Sequence, residues 1–220
     1  MTRELDAHEP VALARAWFER PAAEVARDLL GSVLRCVARD GTVRMGRIVE
    51  TEAYVGAHDL AGHASKGRTA RTEVMFGPAG HAYVYLVYGL HELFNVVTGA
   101  VGDPQAVLVR AVEPLAGTVG PSGAERGDGP GRLTRLLDID RRLLGHRVDR
   151  PPLTLHRGPE PTETVATPRV GVDFAGTEWA SARLRFVDAA SAQLSVSLTR
   201  LGPDGYSSRG VRDTSRTPST

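Results

Sequence analysis

Four of the five tyrosines of this chain, Tyr54, Tyr83, Tyr85 and Tyr88, fall between positions 54 and 88, and a glutamate, Glu52, stands at the head of that stretch in the run GRIVETEAYVG. Aromatic residues make up only 5% of the chain, so the clustering asks for a reason beyond packing. Flat, electron-rich rings beside a carboxylate form a slot for a planar and even cationic ring, and a nucleobase swung out of its stack fits that description. Glu52 lies among Ile48, Val49, Ala53 and Val55, a setting suited to proton abstraction. The ordinary alternative is a solvent-facing strand glutamate paired with a neighbour such as Arg47. Glu50, two residues earlier, stands about 6.6 Å away along an extended strand. That separation resembles the carboxylate pair of a sugar-cleaving enzyme, so a small-substrate glycosidase or nucleosidase using Glu50 and Glu52 is a second reading.

Other residue types narrow the chemistry. His58, Asp59 and His63 lie close together, but their spacing matches no zinc signature and the chain has a single cysteine, so no metal is expected. Between Leu60 and Thr72 there are three cations, Lys66, Arg68 and Arg71, and no acid, interleaved with Gly62, Ser65, Gly67 and Thr69. Such a segment can track a phosphate backbone, or it is simply a solvated basic loop. Lys66 is the only lysine among 27 basic residues. Arginine cannot form a Schiff base, so water is the expected nucleophile and lyase chemistry is not expected. Tyr88 precedes Gly89-Leu90-His91-Glu92 at an anticipated turn, where a bulky ring can wedge between stacked bases.

These residues need a scaffold. AAEVARDLL, with Pro21 before it and Gly31 after it, reads as a short amphipathic helix. Residues 33–37 and 43–54 alternate around Asp40-Gly41 as a hairpin, and strict alternation places Glu50, Glu52 and Tyr54 on one face together with Ile48. Residues 83–88 and 93–98 form a second strand pair, and VLVRAV at 107–112 a buried strand. Six glycines and two prolines mark 116–131 as loop, followed by a helix through GPGRLTRLLDIDRRLL. TLHRG, RVGV and QLSVSLTR read as short strands.

At 220 residues the chain suits one domain, with an expected ordered core of about 10–203 and a disordered tail at 206–220. The fold expectation is α+β: a curved, mostly antiparallel sheet with flanking helices and a protruding hairpin. A lone cysteine, no signal-like start and no long apolar run point to a cytoplasmic protein without a membrane span. A net charge of +1 neither requires nor excludes nucleic acid.

The blocks GRIVETEAYVGAHDLAGHASKGRT, VMFGPAGHAYVYLVYGLHELFNVVTG, AVLVRAVEPL and GDGPGRLTRLL, followed by RVGVDFAGTEWA and LRF, closely resemble the 3-methyladenine (alkyladenine) DNA glycosylase family from about residue 22 to residue 200. The resemblance implies a monofunctional, monomeric hydrolase acting on alkylated or deaminated purines in double-stranded DNA. It implies base flipping, initiation of base excision repair, no metal and no cofactor, in a bacterial-type protein that joins the nucleoid when bound to DNA. The protruding hairpin would enter the minor groove. By position, Glu52 matches the family's general base and Arg110 the arginine that helps hold the attacking water. Tyr54, His63 and Tyr85 match the residues enclosing the flipped base, Asn95 the discriminator against guanine, and Tyr88 the intercalating wedge. A DNA-binding module that has lost catalysis is the non-enzymatic alternative. Two departures stand out. Ala70-Arg71-Thr72 replaces the usual Pro-Arg-Asn, which suggests a looser basic loop, and Glu92 places an extra anion in the hairpin, which should weaken DNA binding.

Overall fold

The computed structural model describes residues 11–198; the tail expected at 206–220 and the outer limits of the expected core lie outside the described residues. One long strand organises the sheet. β2, Val43–Tyr54, pairs along its length with β5, Gln105–Pro114. Its other edge is shared: β1, Val33–Val37, accompanies its first half and β9, Arg185–Asp188, its second. Beyond β5 lie β4, His91–Thr98, and β3, Ala82–Val87. Beyond β1 lie β7, Leu153–His156, and the two-residue β6, Asp149–Arg150, while β8, Thr164–Thr167, pairs with β9. All pairings are antiparallel, and the single-domain α+β sheet curls into a half-barrel.

The hand-over from β1 to β9 falls at an irregularity that alternation does not foresee. The β2–β5 register shifts on either side of Glu50, and Val49 and Arg110 have no partner across that ladder. A bulge of this kind re-aims side chains. Ile48 therefore belongs to the main core with Val109 and Val112, whereas Glu50 and Glu52 point to the other face and meet Arg110. The expectation that Ile48 shares a face with the two glutamates is corrected on this ground. Thr51, now on the core side, donates to Ala26 O in the helix packed there.

That helix, α1, spans Ala22–Asp28 and contacts β2 and β5, burying Val25 and Ala26, with Leu29 and Leu30 just beyond it. α2, Pro130–Leu137, packs on β4 and β5. It is shorter than the leucine pattern suggests: Asp138 takes a left-handed backbone with φ +58° and accepts the Arg39 amide at 2.9 Å and its guanidinium, and only a short 3-10 turn follows at Arg141–Leu143. α3 is Thr177–Ser181. β3 and β4 form the anticipated second pair, joined through Tyr88-Gly89-Leu90. RVGV and the described part of QLSVSLTR are not strands but irregular segments.

Two glycines with the same left-handed backbone separate strain from crowding. Gly31 has φ +83°, and a Cβ there would lie 2.1 Å from Pro159 O; Gly41 has φ +79° with nothing within 4 Å. Gly31→Ala is expected to lower unfolding stability by about 3 kcal/mol or more, from strain plus overpacking, and Gly41→Ala by about 1 kcal/mol. Urea denaturation midpoints check this, and equal losses would mean that the β7–β8 connection yields freely to Gly31.

Candidate active site

Two buried carboxylates lie at the centre of the curled face. Glu52 is fully buried. Its Oε1 accepts the Val170 amide at 2.7 Å, and its Oε2 accepts Arg110 Nη1 at 3.2 Å and the Tyr54 hydroxyl at 3.1 Å. Arg47, the candidate partner for an ordinary surface glutamate, binds Glu113 and Asp188 instead. Burial and Glu52 push the Tyr54 phenol well above its ordinary value, so it stays a donor.

Glu50 is saturated. Its Oε1 accepts Arg110 Nε at 2.9 Å, Arg185 Nε at 2.7 Å and Ser195 Oγ at 2.7 Å, and its Oε2 accepts the Ser195 amide at 2.6 Å. Burial alone would raise its pKa, but the guanidiniums of Arg110 and Arg185 outweigh that and hold it below the usual carboxylate range. Burial likewise works against the charge of Arg110, and Glu52 and Glu50 more than restore it, raising its pKa. A carboxylate locked in its ionised form by two cations cannot serve as the acid of a sugar-cleaving pair, so the Glu50–Glu52 alternative loses its second member.

Beside Glu52 a narrow cleft of about 40 Å³ is lined by Tyr54, Ala61, His63, Met75, Tyr83, Tyr85, Asn95 and Ala106. That is far below the roughly 300 Å³ of a pocket enclosing a drug-sized ligand, so its walls must part to admit a ring of purine size. β3 presents Tyr83 and Tyr85 on one face, their centroids 5.2 Å apart, and the 3-10 turn His63–Lys66 sets the His63 ring edge-on to Tyr85 at 4.6 Å. His63 Nδ1 lies 3.0 Å from the Tyr83 hydroxyl. Burial, then Arg71 and Lys66, push the His63 pKa down to about 4, so the ring is neutral near pH 7. Asn95, on β4 opposite Tyr83, donates its side-chain amide to Tyr83 O at 3.0 Å.

A second buried pair braces this arrangement. Asp59 and Arg169, both with fully buried side chains, bind through two contacts of 2.5 and 2.9 Å. Asp59 also accepts the Val55 and Ala61 amides, and Arg169 donates to Ala53 O and lies 4.8 Å from the centre of the Tyr54 ring. Arg169 and Arg185 escape sequence reading because nothing distinguishes two arginines among 26. Asp59 carries a signal that was open to a different reading, being the only acid between Ala53 and Thr72. It holds an arginine, and among the described residues no group of three or more His, Cys, Asp or Glu could hold a metal ion.

The basic segment is tied rather than loose. Thr72 is buried, and its hydroxyl takes the Thr69 amide at 2.9 Å and donates to Gly67 O at 3.0 Å, closing the turn without proline or asparagine. Arg68 pairs with Glu73 at 3.1 Å and lies over Phe76, Lys66 is exposed, and Arg71 projects over the Tyr85 ring at 5.1 Å. Tyr88 is 91% exposed at the β3–β4 tip, with φ +51° and Leu90 exposed beside it. Glu92, the extra anion of the hairpin, pairs with Arg141 at 2.9 Å. A separate cavity of about 480 Å³ among Trp17, Arg20, Arg27 and Arg157 involves none of these residues.

A family model for methylpurine-DNA glycosylase (MPG) matches residues 16–192. Among similar proteins, one from Myxococcus xanthus is 55% identical over 175 residues, covering 79% of this chain and 88% of its own length. One from Methanocella arvoryzae is 47% identical over 175 residues, covering 76% and 87%, and one from Legionella pneumophila strain Lens is 46% identical over 183 residues, covering 79% and 92%. Each carries the name "Putative 3-methyladenine DNA glycosylase". Together with the carboxylate beside an aromatic cleft, these matches establish that the chain belongs to the methylpurine-DNA glycosylase family.

Proposed function

We propose that the protein hydrolyses the N-glycosidic bond of alkylated or deaminated purines flipped out of duplex DNA, acting as a monomer in the cytoplasm without a cofactor. The observation that carries this reading is Glu52, buried yet placed beside the aromatic cleft, with both oxygens oriented by a backbone amide, a guanidinium and a phenol. Glu52 takes a proton from water as the water oxygen bonds to the sugar carbon, and the electron pair of the broken bond leaves with the base. Arg110 positions the water and steadies the carboxylate. Tyr54, His63 and Tyr85 stack around the base. Asn95, fixed on Tyr83 O, stands where the exocyclic amine of guanine would press against it. Tyr88 fills the gap left in the duplex, while the basic turn that carries Lys66, Arg68 and Arg71 lies against the DNA. With its single lysine on an exposed turn, the enzyme leaves an abasic site and does not cut the strand by lyase chemistry.

The amide of Glu52→Gln keeps size and polarity but loses basicity, so single-turnover base release should fall at least about 100-fold while binding to damaged duplex persists. Wild-type rates in that variant would remove Glu52 from the role of base, and a borohydride-trapped adduct with the native enzyme would refute hydrolysis. Glu50→Gln is expected to act on folding, lowering stability by about 3 kcal/mol or more as two guanidiniums lose their buried counter-charge.

Tyr88→Ser should slow excision from a damaged duplex roughly tenfold but change excision from the matching single strand much less, since no gap has to be held open there. Tyr85→Ala should impair both substrates. Equal proportional losses for Tyr88→Ser on the two would make Tyr88 an ordinary strand-end residue.

His63 gives a pH signature. Its pKa lies near 4 in the folded protein against an ordinary 6.5, so the unfolded chain binds the extra proton between those values and stability falls as pH drops through that window. His63→Gln should therefore lose less stability than the native protein between pH 7 and pH 5, a range above the titration of ordinary carboxylates. Equal losses in urea midpoint would show that His63 is not held neutral.

A further inference from the structure

The buried charges around the cleft cancel. Glu50 is shared by Arg110 and Arg185, Glu52 is held by Arg110, and Asp59 by Arg169, which gives three carboxylates against three guanidiniums. Arg71 is left over: its guanidinium lies 5.1 Å from the centre of the Tyr85 ring, and among the described residues no carboxylate forms an ion pair with it. Its backbone is fixed by the Thr69–Thr72–Gly67 hydrogen bonds, so the cation is presented by an ordered turn.

A ring attracts a cation through its electron-rich face. When one wall already holds a guanidinium without a carboxylate partner, a cationic base gains less from stacking there and meets a like charge, whereas a neutral base stacks without that opposition. We propose that Arg71 is a specificity residue whose fixed charge against Tyr85 makes the pocket favour neutral damaged purines over cationic ones. This inference rests on the glycosylase reading above and deepens it. It divides the lesions by charge: deaminated and etheno-bridged bases are neutral, and purines alkylated at N3 or N7 are cations. Cationic lesions then depend on their weakened glycosidic bond rather than on tight binding. His63 agrees in direction: burial first, and then the charges of Arg71 and Lys66, disfavour its protonation.

The test measures binding without turnover, in the Glu52→Gln protein, to three duplexes of one sequence carrying hypoxanthine, 7-methylguanine or no damage. Arg71→Gln in that background should lower the ratio of the 7-methylguanine to the hypoxanthine dissociation constant by about five- to tenfold, while Arg71→Lys should leave it near the parent value. The undamaged duplex reports any phosphate contact, which weakens all three complexes together. A ratio unchanged by Arg71→Gln overturns the proposal and leaves Arg71 as a phosphate-binding residue. If native protein releases no base and the Glu52→Gln protein binds damaged and undamaged duplexes equally, the glycosylase reading itself fails, a result distinct from an unchanged ratio between lesions that are both bound.

Discussion

Glu50 has no exposure to solvent and four donors on its two oxygens. A carboxylate removed from water in the middle of a sheet is tolerated only when such donors replace its hydration. Much of the site follows from this constraint. Arg110 must leave the β5 ladder to reach Glu50, and in doing so it comes within 3.2 Å of Glu52. Arg185 brings β9 onto β2 just where β1 departs. The bulge, the exchange of neighbouring strands and the orientation of Glu52 are thus three aspects of one charge-neutralising knot. A salt bridge of this kind gives little net stability against an apolar replacement, but it fixes geometry, because losing either partner leaves an uncompensated charge.

The Asp59–Arg169 pair extends that order outward. Arg169 adjoins Val170, whose amide orients Glu52, and Asp59 begins the turn that leads to His63. Carboxylate and pocket wall are therefore referenced to one buried ion pair. The tyrosine between them, Tyr54, touches both systems through its hydroxyl on Glu52 and its ring against Arg169.

Elements with local signatures were legible in the sequence. β1 and β2 occupy the anticipated 33–37 and 43–54, α1 ends before Gly31, and the tyrosines of β3 share a face as alternation requires. What escaped was non-local. RVGV and QLSVSLTR have the apolar pattern of strands, yet Val170 gives its amide to Glu52 and Ser195 gives its amide to Glu50, so these backbone donors are engaged by side chains rather than by a ladder. No window of sequence carries that information, because the partners lie 118 and 145 residues apart. The bulge is invisible for a related reason, since it answers to an arginine on another strand. The candidate site residues were singled out by the run of tyrosines beside Glu52 and by family resemblance, whereas Arg169, Arg185 and Ser195 carried no signal of their own and Asp59 stood out only as a weak metal-ligand candidate.

The long separations have a consequence during synthesis. Every donor to Glu50 other than Arg110, and the amide that orients Glu52, comes from residues 170–195. While that stretch is still in the ribosome, β2 can form its hairpin with β1, but its two carboxylates lack Arg185 and more than half of their hydrogen-bond donors and stay hydrated. The sheet cannot close over them, and contacts of such long range form late and slowly. A chain interrupted before Val170 would carry Glu52 and the tyrosines, but the carboxylate would lack the amide that orients it. The site is in this sense assembled only once residues 170–195 have emerged, and a copy that lacks them has none.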